Sequence, residues 1–156
     1  MDAQSPLESL PLYGVDSYKV DEKHRISLPA KYRKMLPENL VVRLSSDKKF
    51  PSLIISSIEY FKEYREQMFE ADGGFRQSNL EHQRRQHDID RNIAYLELDS
   101  ANRLKIPLTQ FQKARIGKDV VIMGDELSLS VWDVEVFAAY EDYLDSRGDS
   151  GQTEIA

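Results

Sequence analysis

Two arginines, Arg25 and Arg103, occupy the same place in two copies of one short sequence frame. The frame reads apolar, Asp, three residues, Arg, apolar, polar, apolar, Pro, and its copies span residues 20–29 and 98–107. A guanidinium group can hold a phosphate or a guanine edge through two parallel hydrogen bonds. The repeated arginine therefore suggests anion or nucleic-acid binding, and the repeat itself must decide the architecture.

Each copy of the frame predicts a tight hairpin. In the first copy, alternating residues 18–20 and 26–28 predict two strands, and the segment from Asp21 to Arg25 predicts the bend between them. The bend requires a residue that tolerates positive φ, and the chain has His24 there in copy one and Asn102 in copy two. An ion pair between Asp21 and Arg25 could simply hold the turn, or the carboxylate could orient the guanidinium for a ligand.

The sequence similarity between the two halves extends beyond the bends. Pro29 and Pro107 fit the first turn of a helix. Further on, residues 40–42 match 119–122 and residues 53–61 match 129–137, with Ser57 and Asp133 as predicted helix N-caps. One unit is too short to bury a core alone, so the two halves are expected to intertwine around a pseudo-twofold axis.

Charge is distributed unevenly along the chain. The 156 residues carry a formal net charge of −6, which by itself disfavours nucleic acid. Residues 1–17 hold three acids and no base, and residues 141–156 hold five acids and one base. Residues 18–34 hold six bases against two acids, and residues 99–118 hold five against one. The positive charge thus coincides with the two copies of the frame, where a local face could bind phosphate.

The doubled Asp-x-x-x-Arg frame, the proline-led helices and the ending Val131-Trp132-Asp133 to Phe137 resemble the MraZ family over about residues 13–140. The resemblance implies mainly β structure with helices (α+β), in which two tandem AbrB/SpoVT-like swapped-hairpin repeats intertwine into one pseudo-twofold β-barrel domain with flanking helices. It also implies a ring-like homo-oligomer that regulates transcription by binding short direct repeats in the promoter of the division and cell-wall gene cluster. This chain departs from the usual pattern in having His24 and Asn102 in place of glycine, and Ala101 in place of a lysine.

The predicted segments and site residues follow from this assignment. Residues 1–12 are an extended lead-in, 13–70 the first repeat, 71–92 a connecting helical segment, 93–144 the second repeat and 145–156 an acidic mobile tail. The helix that begins after Ser57 should continue past Phe61 and stop at Gly73-Gly74. The predicted DNA-binding residues are Lys19, Lys23, Arg25, Arg103 and Lys105. The residues predicted to support the motif are Asp21, His24, Asp99 and Asn102.

Several other side chains have more than one interpretation. His24 could sense pH or touch a base, although tolerance of the turn explains it more simply. His82 and His87 lie five residues apart, whereas metal-binding pairs on a helix prefer three or four, so we predict no metal site. Arg84 and Arg85 could contact DNA, a neighbouring subunit or only solvent. Three aromatic residues are expected in the core or a subunit contact: Trp132, Phe137 and Tyr140.

The remaining predictions concern function classes. No nucleophile frame, phosphate-cradling glycine loop or paired carboxylates are found, so we predict no enzyme, no cofactor and no small-molecule substrate. The alternative to a DNA-binding regulator is a protein-interaction module on the same hairpin frame, antitoxin-like or scaffolding. The absence of cysteine, of a long apolar run and of a signal-peptide pattern fits a cytoplasmic, nucleoid-associated protein without a membrane partner.

Overall fold

The computed structural model describes residues 14–155, and the side chains of residues 14–147. The strands are β1 (Gly14–Lys19), β2 (Arg25–Ser27), β3 (Asn39–Leu44), β4 (Leu53–Ser57), β5 (Ile93–Glu97), β6 (Arg103–Lys105), β7 (Asp119–Asp125) and β8 (Ser128–Asp133). The helices are α1 (Ala30–Met35), α2 (Ile58–Gln67), α3 (Leu80–Asp90), α4 (Leu108–Lys113) and α5 (Val134–Ile155), with a short 3-10 helix at Glu70–Asp72. Within these residues, no helix is both long and apolar enough to cross a membrane.

The two repeats exchange their first strands. Six antiparallel strands form one sheet in the order β1-β7-β8-β4-β3-β5, so β1 of the first repeat pairs with β7 of the second. In return, β5 of the second repeat pairs with β3 of the first. Strands β4 and β8 meet at the middle of the sheet. The order reads the same from both edges when each strand is replaced by its repeat equivalent, which is the signature of a pseudo-twofold axis.

Strands β2 and β6 form a separate two-stranded ribbon that also belongs to both repeats. Its inner residues Ile26 and Leu104 lie opposite each other and are completely buried. They join one core with side chains from the large sheet, such as Leu40, Ile55 and Val131. Each repeat alone would expose this face, so burial of the shared core holds the two repeats together.

The predicted α+β class, with β structure predominant and helices flanking it, is confirmed. In place of one closed β-barrel, an open six-stranded sheet with β1 and β5 at its edges packs with the separate two-stranded ribbon around a common core. Pro29 and Pro107 lie one position earlier than predicted, as the N-cap residues of α1 and α4. Each helix begins at the residue after its proline. The φ angles of Pro29 and Pro107, −68° and −56°, are compatible with a helix, but their ψ angles of 158° and 140° are extended.

The N-caps predicted at Ser57 and Asp133 are confirmed, since their side chains accept backbone N–H groups from Tyr60 at 3.1 Å and from Glu135 at 3.1 Å. The predicted stop at Gly73-Gly74 instead ends the short 3-10 helix, because α2 already ends at Gln67. Gly73 has φ of 81°, and Gly74 donates its N–H to the carbonyl of Phe69 at 2.8 Å, as in a Schellman motif.

The structure describes the three predicted segments outside the repeats to different extents. Of the connecting segment 71–92, residues 80–90 are helical as α3, which begins after the Asn79 N-cap. The predicted lead-in, residues 1–12, lies outside the described residues. The predicted tail, residues 145–156, begins inside α5, and its mobility stays a prediction.

Candidate nucleic-acid interface

The first bend is held by a single carboxylate. Asp21 Oδ1 accepts the backbone N–H groups of Lys23 at 2.8 Å and Arg25 at 2.9 Å. Asp21 Oδ2 accepts Nε–H of Arg25 at 2.8 Å. His24 lies at the tightest point with φ of 61°, which confirms the predicted bend. The ion pair predicted for the turn is therefore present, and it fixes the direction of the guanidinium as well as the backbone.

The second bend repeats this geometry closely. Asp99 Oδ1 accepts the N–H groups of Ala101 at 2.8 Å and Arg103 at 2.9 Å, and Oδ2 accepts Nε–H of Arg103 at 2.8 Å. Asn102 has φ of 62°. The frame therefore forms one structure in both repeats, although Ala101 replaces the lysine of the first copy. The two arginines consequently leave their bends in equivalent orientations.

The ribbon brings the arginines of both bends onto one face. Arg25 lies opposite Lys105, and Ser27 lies opposite Arg103. These four residues share the outer face, because the alternate positions Ile26 and Leu104 point into the core. Three cations, Arg25, Arg103 and Lys105, therefore lie close together on the outer face of the ribbon, which is only three residue pairs long. The arginines are partly exposed, with side-chain exposures of 24% for Arg25 and 34% for Arg103.

The charges at both bends are stabilised in their ionised forms. The backbone N–H of Arg25 lowers the pKa of the Asp21 carboxyl, and the Arg25 side chain and the Lys23 N–H lower it further. The Arg103 backbone N–H does the same for the pKa of Asp99. Both aspartates thus remain charged at neutral pH and hold the guanidinium groups through Nε–H. Among the described residues, Nη1 and Nη2 of both arginines make no hydrogen bond, so these nitrogens are available to a ligand.

The two remaining predicted cations border the first bend. The Lys19 side chain at the end of β1 is 78% exposed, with Nζ 3.9 Å from Asp119. Lys23 lies in the bend itself and is exposed. The repeat equivalents of these lysines are Glu97 and Ala101, so the positive charge at the first bend is not reproduced at the second.

One cation at the second bend is missing from the sequence prediction. Arg33 of α1 donates a hydrogen bond through Nη1 to the side-chain oxygen of Asn102. The equivalent helix of the second repeat brings the ring of Phe111 to 6.2 Å from that of His24. Each bend is therefore touched by a helix of the other repeat. The basic composition of residues 18–34 already included Arg33, but only the exchange of strands places it beside a bend 69 positions away in the chain.

The other side chains with more than one interpretation are either packed in the fold or exposed to solvent. His82 is buried, accepts the N–H of Arg76 at Nδ1 at 3.0 Å, and pairs through Nε2 with Asp72 at 3.0 Å. His87 is exposed, and no group of metal-binding side chains occurs in the described residues. Arg84 is 76% exposed beside Glu81. The three aromatic residues expected in the core or a subunit contact pack together where β8 leads into α5, with the Trp132 ring stacked 4.9 Å from Tyr140 and 5.5 Å from Phe137.

The chain is similar to several curated proteins and to one family model. The family model, described as "MraZ protein, putative antitoxin-like", matches residues 93–154, which include the second repeat. "Transcriptional regulator MraZ" of Mycoplasmoides gallisepticum is 29% identical over 134 residues, covering 85% of this chain and 86% of that protein. The protein of the same name from Corynebacterium jeikeium is 25% identical, covering 92% and 95%. The one from Micrococcus luteus is 29% identical, covering 81% and 84%.

Proposed function

We propose that this chain, which is similar to proteins named transcriptional regulator MraZ, is a member of the MraZ family and a DNA-binding regulator of transcription. Double-stranded DNA is the proposed ligand of the ribbon and its two bends. The contacting residues are Lys19, Lys23, Arg25, Arg103 and Lys105, and Arg33 joins them. Asp21, His24, Asp99 and Asn102 support the bends. The proposed place of action is the cytoplasm, at the nucleoid.

The observation that carries this proposal is the pairing of Arg25 with Lys105 on the outer face of the ribbon. Like charges directly opposite each other destabilise an antiparallel pair. Asp21 balances only part of this charge, since its carboxylate is occupied by one nitrogen of Arg25 and by two backbone groups. A phosphate backbone would neutralise the remainder. Proteins keep such local conflicts mainly at functional sites.

The shape of the ribbon suits the same ligand. The major groove of B-DNA admits a two-stranded β-ribbon, and there each base pair presents a distinct pattern of hydrogen-bonding groups. The ribbon offers cations on the outer face, while its inner face is anchored by buried Ile26 and Leu104. Because Asp21 and Asp99 fix the arginines before binding, little side-chain entropy remains to be lost on contact. We propose that Arg25 and Arg103 read bases or clamp phosphates, and that the lysines bind phosphate.

The proposal includes the assembly and the target. Residues 18–140 hold 20 basic and 19 acidic side chains, so their net charge is close to zero. A single copy should therefore bind one short DNA site weakly. Several linked copies raise the effective concentration at neighbouring sites and so increase the affinity. A ring-like homo-oligomer that binds short direct repeats would meet this requirement. The proposed target is the promoter of the division and cell-wall gene cluster, including the chain's own upstream region.

The test is a binding measurement on the chain's own upstream region with Arg25→Ala, Arg25→Lys and Arg84→Ala. We expect Arg25→Ala to weaken specific binding by about 5- to 150-fold, since a bidentate contact is worth about 1–3 kcal/mol. Arg25→Lys should recover only part, because lysine keeps the charge and loses the planar fork. Arg84→Ala removes an exposed charge away from the ribbon and should bind normally. Unchanged promoter affinity in Arg25→Ala, with normal circular dichroism and mass, would refute the proposal.

A protein-interaction module is the second candidate, favoured by the antitoxin-like description of the matching family model. It predicts a stable complex with a second protein and no footprint on the upstream region. Footprinting of the purified protein, with its mass measured in parallel, separates the two functions.

A further inference from the structure

A basic cavity lies away from the ribbon, between the loop that joins β3 to β4, the helices α2 and α3, and the end of α4. Its volume is about 700 Å³, within the range of small-molecule sites, about 300–1,000 Å³. Two carboxylates, Asp47 and Asp88, line it together with six cations: Arg43, Lys48, Arg85, Arg91, Lys113 and Arg115. In a chain of net charge −6, this is a strong local concentration of positive charge.

The cavity is built partly from segments that break the internal symmetry. The first repeat joins β3 to β4 through residues 45–52, whereas the second joins β7 to β8 through Glu126 and Leu127 alone. Helix α3 likewise lies between the repeats and has no equivalent in the described residues, whereas α2 is the counterpart of α5. The 45–52 loop and α3 belong neither to the exchanged strands nor to the ribbon.

Arg43 lies in this cavity with a half-buried guanidinium. Its central carbon is 3.6 Å from the centre of the Tyr64 ring, and the Tyr64 hydroxyl is 3.1 Å from Ser46 Oγ. No carboxylate lies within 4.0 Å of Arg43 among the described residues. Burial lowers the pKa of Arg43, but a guanidinium stays charged in proteins. A half-buried cation that lies over an aromatic ring, without a carboxylate partner, is suited to binding an anion.

Arg85 supplies a second incompletely satisfied guanidinium. One terminal nitrogen bonds Asp72 at 2.9 Å and the other lies 3.4 Å from the Met68 carbonyl, but the buried Nε has no partner. A buried donor without a partner destabilises the fold, and a bound anion could satisfy it. The two carboxylates of the cavity do not compensate. Asp47 accepts two backbone N–H groups of its own loop, and Asp88 pairs with Arg91 at 3.2 Å.

Arg115 adds backbone strain at the same place. It has φ of 56° at the end of α4, where glycine is the usual residue, and its guanidinium donates to the Lys49 carbonyl at 2.6 Å. A non-glycine residue is strained in this region because its Cβ approaches the backbone. The chain thus retains an arginine at a position that disfavours it, and that arginine connects α4 to the loop of the cavity. Strain of this kind is concentrated at ligand sites.

We propose that this cavity binds a small compound carrying two or more phosphate groups, such as a nucleoside di- or triphosphate. Arg43 and Arg85 are only partly exposed and line a concave site, which favours a small ligand over the surface of a duplex. Arg43 already covers the Tyr64 ring, so recognition depends on the phosphates rather than on base stacking. This inference is independent of the role of the ribbon.

The experiment is isothermal titration of the full chain at low salt with orthophosphate, tripolyphosphate and ATP. We expect saturable binding of tripolyphosphate and ATP, at least tenfold tighter than that of orthophosphate. Equal affinities for tripolyphosphate and ATP would identify the phosphates alone as the recognised group, and a tighter ATP complex would add a nucleoside contact. Both results support the site.

Three variants locate the binding. Arg43→Met removes the stacked cation at similar length, and Arg115→Gly removes the guanidinium while suiting the backbone. Each should weaken binding by about tenfold or more. Arg84→Met, on α3 but outside the cavity, should bind normally and so exclude a general charge effect. The proposal is overturned by a lack of saturation at millimolar polyphosphate, by equal losses in all three variants, or by unchanged binding in both cavity variants. Loss of duplex binding in Arg43→Met, without polyphosphate binding in the parent chain, would assign the cavity to DNA instead.

Discussion

Arg25 and Arg103 each use only Nε to hold an aspartate, which leaves their terminal nitrogens directed by the bend and open to a ligand. The other oxygen of the same carboxylate, Oδ1, accepts the backbone N–H groups that fix the bend itself. Each aspartate therefore stabilises the bend and orients the guanidinium at the same time. The two interpretations of the Asp21–Arg25 pair, a simple turn contact and an oriented arginine, describe the same atoms.

The first residue-scale prediction concerns the left-handed bend at His24. Glycine adopts φ of 61° without a Cβ penalty. His24→Gly should therefore change the free energy of unfolding by no more than about 1 kcal/mol, since relief of strain and greater unfolded-state entropy oppose each other. His24→Val should destabilise by clearly more, because a β-branched residue is poorly tolerated there. Urea unfolding measures both, and equal stabilities of the two variants would contradict the prediction.

The second residue-scale prediction concerns acid. The pKa values of Asp21 and Asp99 are lowered in the folded state, chiefly by the backbone N–H groups of Arg25 and Arg103. The stabilisation is complete above the unfolded-state pKa of about 3.9 and is lost as the pH falls through the lower folded-state values. The double variant Asp21→Asn, Asp99→Asn should lose less thermal stability than the parent between about pH 5 and pH 2. Melting temperatures followed by circular dichroism give the comparison, and parallel curves would exclude the contribution.

At the scale of elements, the α2–α3 hairpin has its own small core. The Phe69 ring lies 5.0 Å from His82 and 5.2 Å from Phe75. His82 also joins Asp72 to the Arg76 backbone, so it supplies both packing and hydrogen bonds. This hairpin forms one wall of the basic cavity, and its stability is therefore linked to that site.

The element-scale prediction compares the two histidines of α3. His82→Ala removes a buried ring and its two hydrogen bonds, and we expect a loss of about 2–3 kcal/mol. His87→Ala, at an exposed position on the same helix, should change stability by less than about 0.5 kcal/mol. Hydrogen exchange should show faster opening of α2 and α3 only in His82→Ala. Uniformly faster exchange over the whole chain would show that the hairpin does not open by itself.

The sequence predicted local features well and long-range ones in outline. The bends at His24 and Asn102 and the caps at Ser57 and Asp133 depend on neighbouring residues, so one short pattern suffices. The repeat also predicted intertwining, because two equivalent halves each lack a complete core. Arg33 was missed because its contact with Asn102 joins different repeats. The cavity was missed because its cations come from separate segments, none of which forms a motif.

On the scale of the whole molecule, the ribbon gives the chain a narrow basic face. The edge strands, helices and acidic residues elsewhere leave a chain of net charge −6. Contacts between basic side chains and phosphates release the counterions that are condensed on DNA, so affinity should depend strongly on salt. In the proposed ring, the faces of neighbouring subunits would act together on one duplex.

The whole-molecule prediction is a joint dependence on salt and on repeat number. Affinity for upstream fragments with one, two, three and four direct repeats should rise more steeply than the number of sites, and should fall linearly with salt on logarithmic axes. Removing one phosphate-binding lysine, as in Lys23→Ala, should reduce the slope by about one per engaged subunit. Gel shifts with mass measurement provide both quantities. Affinity proportional to site number would exclude linked binding.

The exchange of strands also constrains the order of folding. Gly14 at the start of β1 lies opposite Gly124, so β1 acquires its partner only after β7 has been synthesised. Until then the edge of β1 is exposed, and a nascent chain that stalls before Asp119 carries an unpaired strand open to aggregation. The first repeat therefore cannot complete its fold before the second repeat has been made.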